Sequence, residues 1–177
     1  MTLRYSGRWR CGLQILVLSA GLALQLGSTD AWAADLIAFR EAFSPGTIVV
    51  RTSERRLYLV LRNGRALRYI VGVGRVGRQW VGKSHIEAKF IGPNWAPPDA
   101  IRRDKPQLPA LIPGGSPSNP MGAAALTLAG GTYAIHGTNA PETIGGFVSY
   151  GCIRMLNGDI LDLYARVDVG SRVIVTQ

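Results

Sequence analysis

Residues 47–73 read TIVVRTSERRLYLVLRNGRALRYIVGV, and this stretch sets the fold class. Thr47-Ile48-Val49-Val50 is a run of strand formers, Ser53-Glu54 is a turn, and Leu57-Tyr58-Leu59-Val60-Leu61 is a second strand. Asn63-Gly64 is a strong two-residue hairpin signal before a third strand from Ala66 to Val73, because such turns need residues that tolerate positive φ. The pattern predicts a meander of three antiparallel strands.

Working outward, Ala124 to Leu128 and Tyr133-Ala134-Ile135 return to strand character. From Asp159 to Val167 the apolar residues fall at 160, 161, 163, 164 and 167. That spacing predicts an amphipathic helix with Asn157 or Asp159 as N-cap. Gly170-Ser171 turns the chain into a last strand, Arg172 to Val175. Between positions 93 and 120 lie eight of the ten prolines, an excursion too long for an idle connection in a compact domain. Trp95, Leu108, Leu111 and Ile112 mark it as an ordered flap, with Trp95 a candidate substrate-covering residue. Gly72 to Gly77 echoes a dinucleotide-binding glycine pattern, but no helical pattern follows it, so a glycine-rich strand end explains it better. Asp35 to Pro45 reads as a lead-in with a short helix at best.

The composition bounds the rest. A chain of 177 residues with 47% hydrophobic residues is one domain, and it is too apolar to be disordered. Two His and two Cys nearly exclude a multi-ligand zinc site and a disulfide framework, so no metal and no cofactor is expected. Arg4, Arg8 and Arg10 precede a 14-residue apolar run, Leu13 to Leu26, and small residues end at Ala31-Trp32-Ala33. The run is short for a bilayer span, and its flanks match a cleaved secretory signal. The expected organisation is a signal peptide over 1–33, the lead-in over 34–45 and one catalytic domain over 46–177. Removing 1–33 lowers the net charge from +9 to +7 and leaves a single cysteine, Cys152. This basic balance suits an envelope rich in anionic groups. No interleaved aromatic–basic motif supports nucleic acid as a partner.

A lone thiol in an exported chain is either a small buried apolar residue or a reactive group. Its neighbours decide. His136-Gly137-Thr138-Asn139 follows the strand Tyr133 to Ile135, and Ser149-Tyr150-Gly151-Cys152-Ile153-Arg154-Met155 comes next. A thiol attacks carbonyls as its thiolate, and a nearby imidazole is the usual means of generating one. Gly137 and Gly151 allow close backbone approach beside each group, and the Gly151 and Cys152 N–H groups can serve a developing oxyanion.

These residues resemble the signature of the L,D-transpeptidases, the YkuD-type catalytic domain: His136-Gly137-Thr138-Asn139, Ile144-Gly145, then Ser149-x-Gly151-Cys152-Ile153-Arg154-Met155. Trp95-x-Pro97-Pro98, Pro113-Gly114-Gly115 and Asn119-Pro120-Met121-Gly122 are similar to the segment that precedes the signature in many proteobacterial members. The resemblance covers roughly residues 46–177. It implies a mainly β, sandwich-like domain with a short helix near the carboxyl end, acting in the periplasm on peptidoglycan tetrapeptide stems. Cys152 would be the nucleophile, expelling D-alanine and holding the diaminopimelate acyl group, and His136 the general acid and base, oriented by the Gly137 carbonyl. The acceptor would be an amine of another stem or of an envelope protein. Water as acceptor would make a carboxypeptidase, and an inert Cys152 would mark a non-catalytic envelope-binding paralogue.

Where many members read Ser-His-Gly-Cys, this chain has Tyr150, which can donate a hydrogen bond but cannot act as an imidazole. Ser149, Tyr150 and Asn139 join Trp95 as candidate substrate contacts, and Arg154 as a support for the site. His85 reads as a surface residue, and Asp162 and Asp168 as solvated. Sortase-like proteins separate His from Cys by far more residues, and papain-like wall hydrolases place Cys before His. Oligomeric state is not readable from the sequence.

Overall fold

The computed structural model describes Met1, Thr2 and Ala34–Gln177, so the signal-peptide reading falls on residues outside those described. From Asp35 onward the chain is mostly strand. β1 (Asp35–Ala38), β2 (Ile48–Arg51), β3 (Arg56–Val60) and β4 (Arg65–Ile70) come first, then β5 (Val73–Gly74) and β6 (Gly82–Ile91). A short helix α1 (Asp99–Asp104) precedes β7 (Ala124–Leu128) and β8 (Ala134–His136). After a 3-10 turn at Pro141–Thr143 come β9 (Phe147–Ser149), β10 (Ile153–Arg154), helix α2 (Asn157–Arg166) and β11 (Arg172–Thr176).

The meander forms where the sequence places it. β2, β3 and β4 pair antiparallel in order, and the β3–β4 turn carries positive φ at both Asn63 (60°) and Gly64 (67°), the backbone a type I′ hairpin requires. β11 joins the open edge of β2 in parallel. β6 is the hinge of the architecture. Its first half, Gly82 to His85, pairs with β11, and its second half, from Ile86 to Ile91, pairs with β7 across a register shift. One long strand thus links the block β1-β4-β3-β2-β11 to the block β7-β8-β10. Ile48, Leu57 and Tyr69 from the first block meet Leu126, Ile135 and Ile153 from the second, with Ile160 and Leu163 of α2, in one core. Each such fully buried aliphatic side chain stabilises the fold by about 1.5–3 kcal/mol.

Three expectations need correction. The lead-in forms a strand rather than a helix: β1 pairs with β4 along Asp35↔Arg68 to Ala38↔Arg65, and the Arg68–Asp35 ion pair closes at 2.7 Å. Phe39 and Phe43 then cover the outer face of the meander against Val49, Tyr58 and Val60. Burial on both faces is why Ile48-Val49-Val50 is a continuous apolar run rather than an alternation. Neither Asn157 nor Asp159 caps α2, whose N-cap position is Leu156 with no side-chain bond. Asp162 is not merely solvated; it accepts the Tyr69 hydroxyl at 2.7 Å and pairs with Arg166.

Candidate active site

The register of two short strands assembles the site. β10 pairs in parallel with β8, Ile153 opposite Ile135 and Arg154 opposite His136. Ile135 and Ile153 point into the core. Strand alternation therefore turns His136 and Arg154 to the other face, and Cys152 lies in the turn two residues before Arg154. The Cys152 thiol lies against the Ala134 backbone amide and within the field of the Arg154 charge.

His136 is buried, and its Nδ1 lies 2.7 Å from the Gly137 carbonyl oxygen. A carbonyl only accepts, so Nδ1 carries the proton and Nε2 keeps its lone pair. Burial, helped by the Arg154 charge, pushes the imidazole pKa down to about 4 against the pull of the Gly137 and Pro120 carbonyls. Burial likewise pushes the Cys152 thiol up, opposed by the Ala134 amide and by Arg154. The resting pair is a neutral thiol with a neutral imidazole. Arg154 is held by reciprocal backbone bonds with Gly72, both 2.8 Å. Its buried Nε has no hydrogen-bond partner among the described residues.

The turn carrying Cys152 is clamped from several sides. Gly151 has φ +122°, and a Cβ there would sit 2.4 Å from Cε1 of Tyr133, so only glycine fits. The Tyr133 ring stacks on Trp80 with centroids 4.8 Å apart, and the Trp80 indole N–H donates to the Gly151 carbonyl at 3.0 Å. Ser149 is buried and wholly engaged within the turn: its hydroxyl donates to the Cys152 carbonyl at 2.6 Å and accepts the Gly151 N–H at 3.0 Å. Two expectations change as a result. Ser149 is an internal strut rather than a substrate contact. The Gly151 N–H is already satisfied, which leaves the Cys152 N–H as the amide of this pair to face an oxyanion.

The remaining candidates sit on the rim. Tyr150 donates its hydroxyl to Asp104 of α1 at 2.6 Å, and the exposed Asn139 donates to the Pro117 carbonyl at 3.3 Å. These two contacts bring the proline-rich excursion to the site. Trp95 does not make that link; its backbone pairs with Ile112 inside the excursion. Asn119, buried at the root, donates to the carbonyls of Pro93, Ile112 and Pro113 and accepts the Met121 N–H. On the loop after His136, Asn157 Oδ1 accepts the N–H groups of Ala123 and Thr138, each at 3.0 Å, and its Nδ2 donates to the Thr138 carbonyl. A Cβ on Gly137 would lie 2.3 Å from that Oδ1, so Gly137 serves close approach. Sequence reading missed Trp80, Tyr133, Asp104 and the bracing roles of Asn119 and Asn157. The Asn-Pro and Asn-Gly pairs at 119–120 and 157–158 were signals of special backbone only.

Residues 45–175 match the model of the L,D-transpeptidase catalytic domain. A Salmonella typhimurium protein named "Probable L,D-transpeptidase ErfK/SrfK" is 43% identical over 135 residues, 71% of this chain and 42% of that protein. The chain therefore spans about two-fifths of such relatives. The Bacillus subtilis "Putative L,D-transpeptidase YkuD" is 31% identical over 163 residues, 91% of this chain and 85% of that protein. L,D-transpeptidase 3 of Mycobacterium tuberculosis, solved with a faropenem-derived adduct, shares the fold at TM-score 0.58 and 17% identity, over 74% of this chain and 60% of that structure. With residues 45–175 matching that domain, and with His136 and Arg154 paired across β8 and β10 just after Cys152, the chain belongs to the L,D-transpeptidase family.

Proposed function

We propose that this chain is an exported cysteine L,D-transpeptidase acting on peptidoglycan tetrapeptide stems in the periplasm. The observation that supports the mechanism best is the β8–β10 register, in which Arg154 stands opposite His136 and Cys152 precedes Arg154 by two residues. In the neutral resting pair the thiolate is the less stable form, so deprotonation is coupled to attack. His136 Nε2 takes the thiol proton as Sγ bonds to the carbonyl carbon of diaminopimelate. The Cys152 N–H and the unpartnered Arg154 face the negative charge that develops. The imidazolium then protonates the departing D-alanine amine, leaving a thioester on Cys152. An acceptor amine gives up a proton to His136, attacks the thioester and restores the thiol. The amine of a second stem yields a crosslink contributing to wall organisation and cell shape, and that of an envelope protein yields an anchor. Water in its place yields an L,D-carboxypeptidase. The charged start and apolar run before Ala33 support export.

Intact mass of the purified protein after incubation with a carbapenem tests the chemistry, prompted by the fold-sharing proteins solved with a faropenem-derived adduct and with imipenem. One added drug mass on wild type, absent in Cys152→Ala, is the expected result. No adduct, together with a thiol inert to a small alkylating reagent, overturns the reading in favour of a non-catalytic envelope-binding protein. Incubation with a tetrapeptide, with and without an added amine, then separates transfer from hydrolysis.

A further inference from the structure

Beside the nucleophile turn lies a cluster that the mechanism above leaves unused. The Tyr150 hydroxyl and Arg75 Nη2 converge on one oxygen, Oδ2 of Asp104, at 2.6 and 3.0 Å. The Arg75 guanidinium lies over the Tyr150 ring at 4.0 Å, and that of Arg78 lies 5.6 Å from the same ring. Arg78 has no carboxylate partner among the described residues. Two guanidinium groups and a phenol around one carboxylate are the components of a carboxylate receptor. The stacking fixes the phenol and guanidinium relative to each other before a ligand arrives.

Two features make Asp104 a displaceable occupant. Its ion pair with Arg75 is exposed on both sides, and such pairs are worth roughly fivefold in an equilibrium at most. Helix α1, which carries Asp104, buries none of its residues, so releasing the carboxylate uncovers no core. The position also suits a substrate. Tyr150 is two residues from Cys152, at most about 7 Å along the backbone. The Arg78 carbonyl lies 3.3 Å from where a Gly151 side chain would begin. A peptide whose acyl carbon sits at Cys152 can therefore bring an adjacent carboxylate to this cluster.

We infer that Arg75, Arg78 and Tyr150 form a carboxylate-binding subsite for the donor peptide, occupied by Asp104 in the free protein. This rests on the transpeptidase reading above. The carboxylate is either that on the diaminopimelate side chain or that of the terminal D-alanine.

The test is calorimetric titration of the full chain carrying Cys152→Ala with three tetrapeptides: one with free carboxylates, one amidated on the diaminopimelate side chain and one amidated at its terminus. Adding Arg75→Gln is expected to weaken binding of the free peptide about fivefold. It should leave unchanged the one amidated peptide that lacks the recognised carboxylate. Asp104→Asn, which removes the internal competitor, is expected to tighten the free peptide two- to fivefold. All three side chains are on the rim, and unfolding midpoints equal to that of the parent verify that the variants fold. Arg75→Gln acting equally on all three peptides, or on none, overturns the subsite while leaving the enzyme reading intact. Failure of every peptide to bind, in a protein whose wild type also resists acylation, overturns both.

Discussion

Gly151→Ala tests whether the Ser149–Cys152 turn depends on its backbone conformation. The added methyl would sit 2.4 Å from Tyr133 Cε1 and 3.0 Å from Cδ1. Two escapes exist, and their costs set the magnitude. Either the turn yields around the methyl, an overpacking cost of about 1–3 kcal/mol, or Tyr133, which is only partly buried, leaves its stack on Trp80 for about 1 kcal/mol. The second is the cheaper. To it is added the strain of holding an L-residue at φ +122°, about 1–3 kcal/mol. The total is about 2–4 kcal/mol, a fall of roughly 4–15 °C in Tm for a domain of this size. Acylation should suffer more, because a shift of about 1 Å in a reacting group costs on the order of 10²-fold in rate. Thermal unfolding and the rate of carbapenem acylation, followed by intact mass, read the two effects. Gly158→Ala is the control: its Cβ meets nothing within 4 Å and no positive φ is required, so it should be neutral or slightly stabilising in α2. In a Tyr133→Ala background the ring clash disappears, leaving the strain and a tight 3.3 Å approach to the Arg78 carbonyl. A Gly151→Ala protein with wild-type Tm and an acylation rate within about threefold of wild type would refute the clamp.

Other outcomes follow from the same geometry. His136 titrates near 6.5 unfolded and about 4 folded, so its contribution, about 3 kcal/mol, is present above pH 6.5 and lost as pH falls toward 4. Burial raises Asp159 from 3.8 to about 6, so its contribution runs the other way, present at low pH and lost as pH rises through 6. Denaturant titrations should therefore show near-level stability between pH 4 and 6 in wild type. In Asp159→Asn they should show a clear acid loss and a gain at pH 7 of about 2 kcal/mol. Asn119→Ala leaves three carbonyls and one N–H at the root of the excursion without their partner. It should cost about 2–4 kcal/mol and make residues 93–120 more susceptible to limited proteolysis than in wild type. Asn157→Ala strips the acceptor from the Ala123 and Thr138 amides. Because Asn157 is exposed and water can replace part of it, the loss should be about 1–2 kcal/mol. Acylation should slow about tenfold, with most of the rate retained in Asn157→Asp, which keeps the acceptor.

Legibility in the sequence followed the range of the interaction. The meander was readable because Asn63-Gly64 and the apolar runs are local, and α2 because its periodicity is local. β1 was not, since Leu36-Ile37 is too short a run to announce a strand; its pairing is with β4, some thirty residues away. β6 escaped for a different reason: Gly82-Lys83-Ser84-His85 is polar and exposed at one end, and only its partners β11 and β7 make it a strand. In the site, Cys152 and His136 stood out by residue type and by the motif around them. Their supports did not, because Trp80, Tyr133 and Asn157 act through contacts that no spacing rule encodes. Ser149 shows the limit most clearly: adjacent to the motif, it reads as a contact, yet its hydroxyl is spent inside the turn.

The separation of His136 from Cys152 has a structural cause in the parallel pairing of β8 with β10. Parallel neighbours cannot be joined by a tight turn and need a connection of about a dozen residues or more. Residues 137–152 are that connection. They leave the sheet through the 3-10 turn at Pro141–Thr143, pair β9 with β5, and return through the Ser149–Cys152 turn. The register that results gives one arginine opposite effects on the two side chains. Arg154 stands directly across from His136 and disfavours imidazolium, which keeps the imidazole a free base at neutral pH. The same charge, two residues from Cys152, favours thiolate over thiol against the cost of burial. A carboxylate paired to Arg154 would cancel both effects, and none lies within ion-pair distance of it among the described residues. The unpartnered Nε leaves the guanidinium charge free to act on His136 and Cys152. On these grounds Arg154→Met should raise the histidine pKa and slow acylation together, whereas loss of a purely structural residue would change stability without moving that titration.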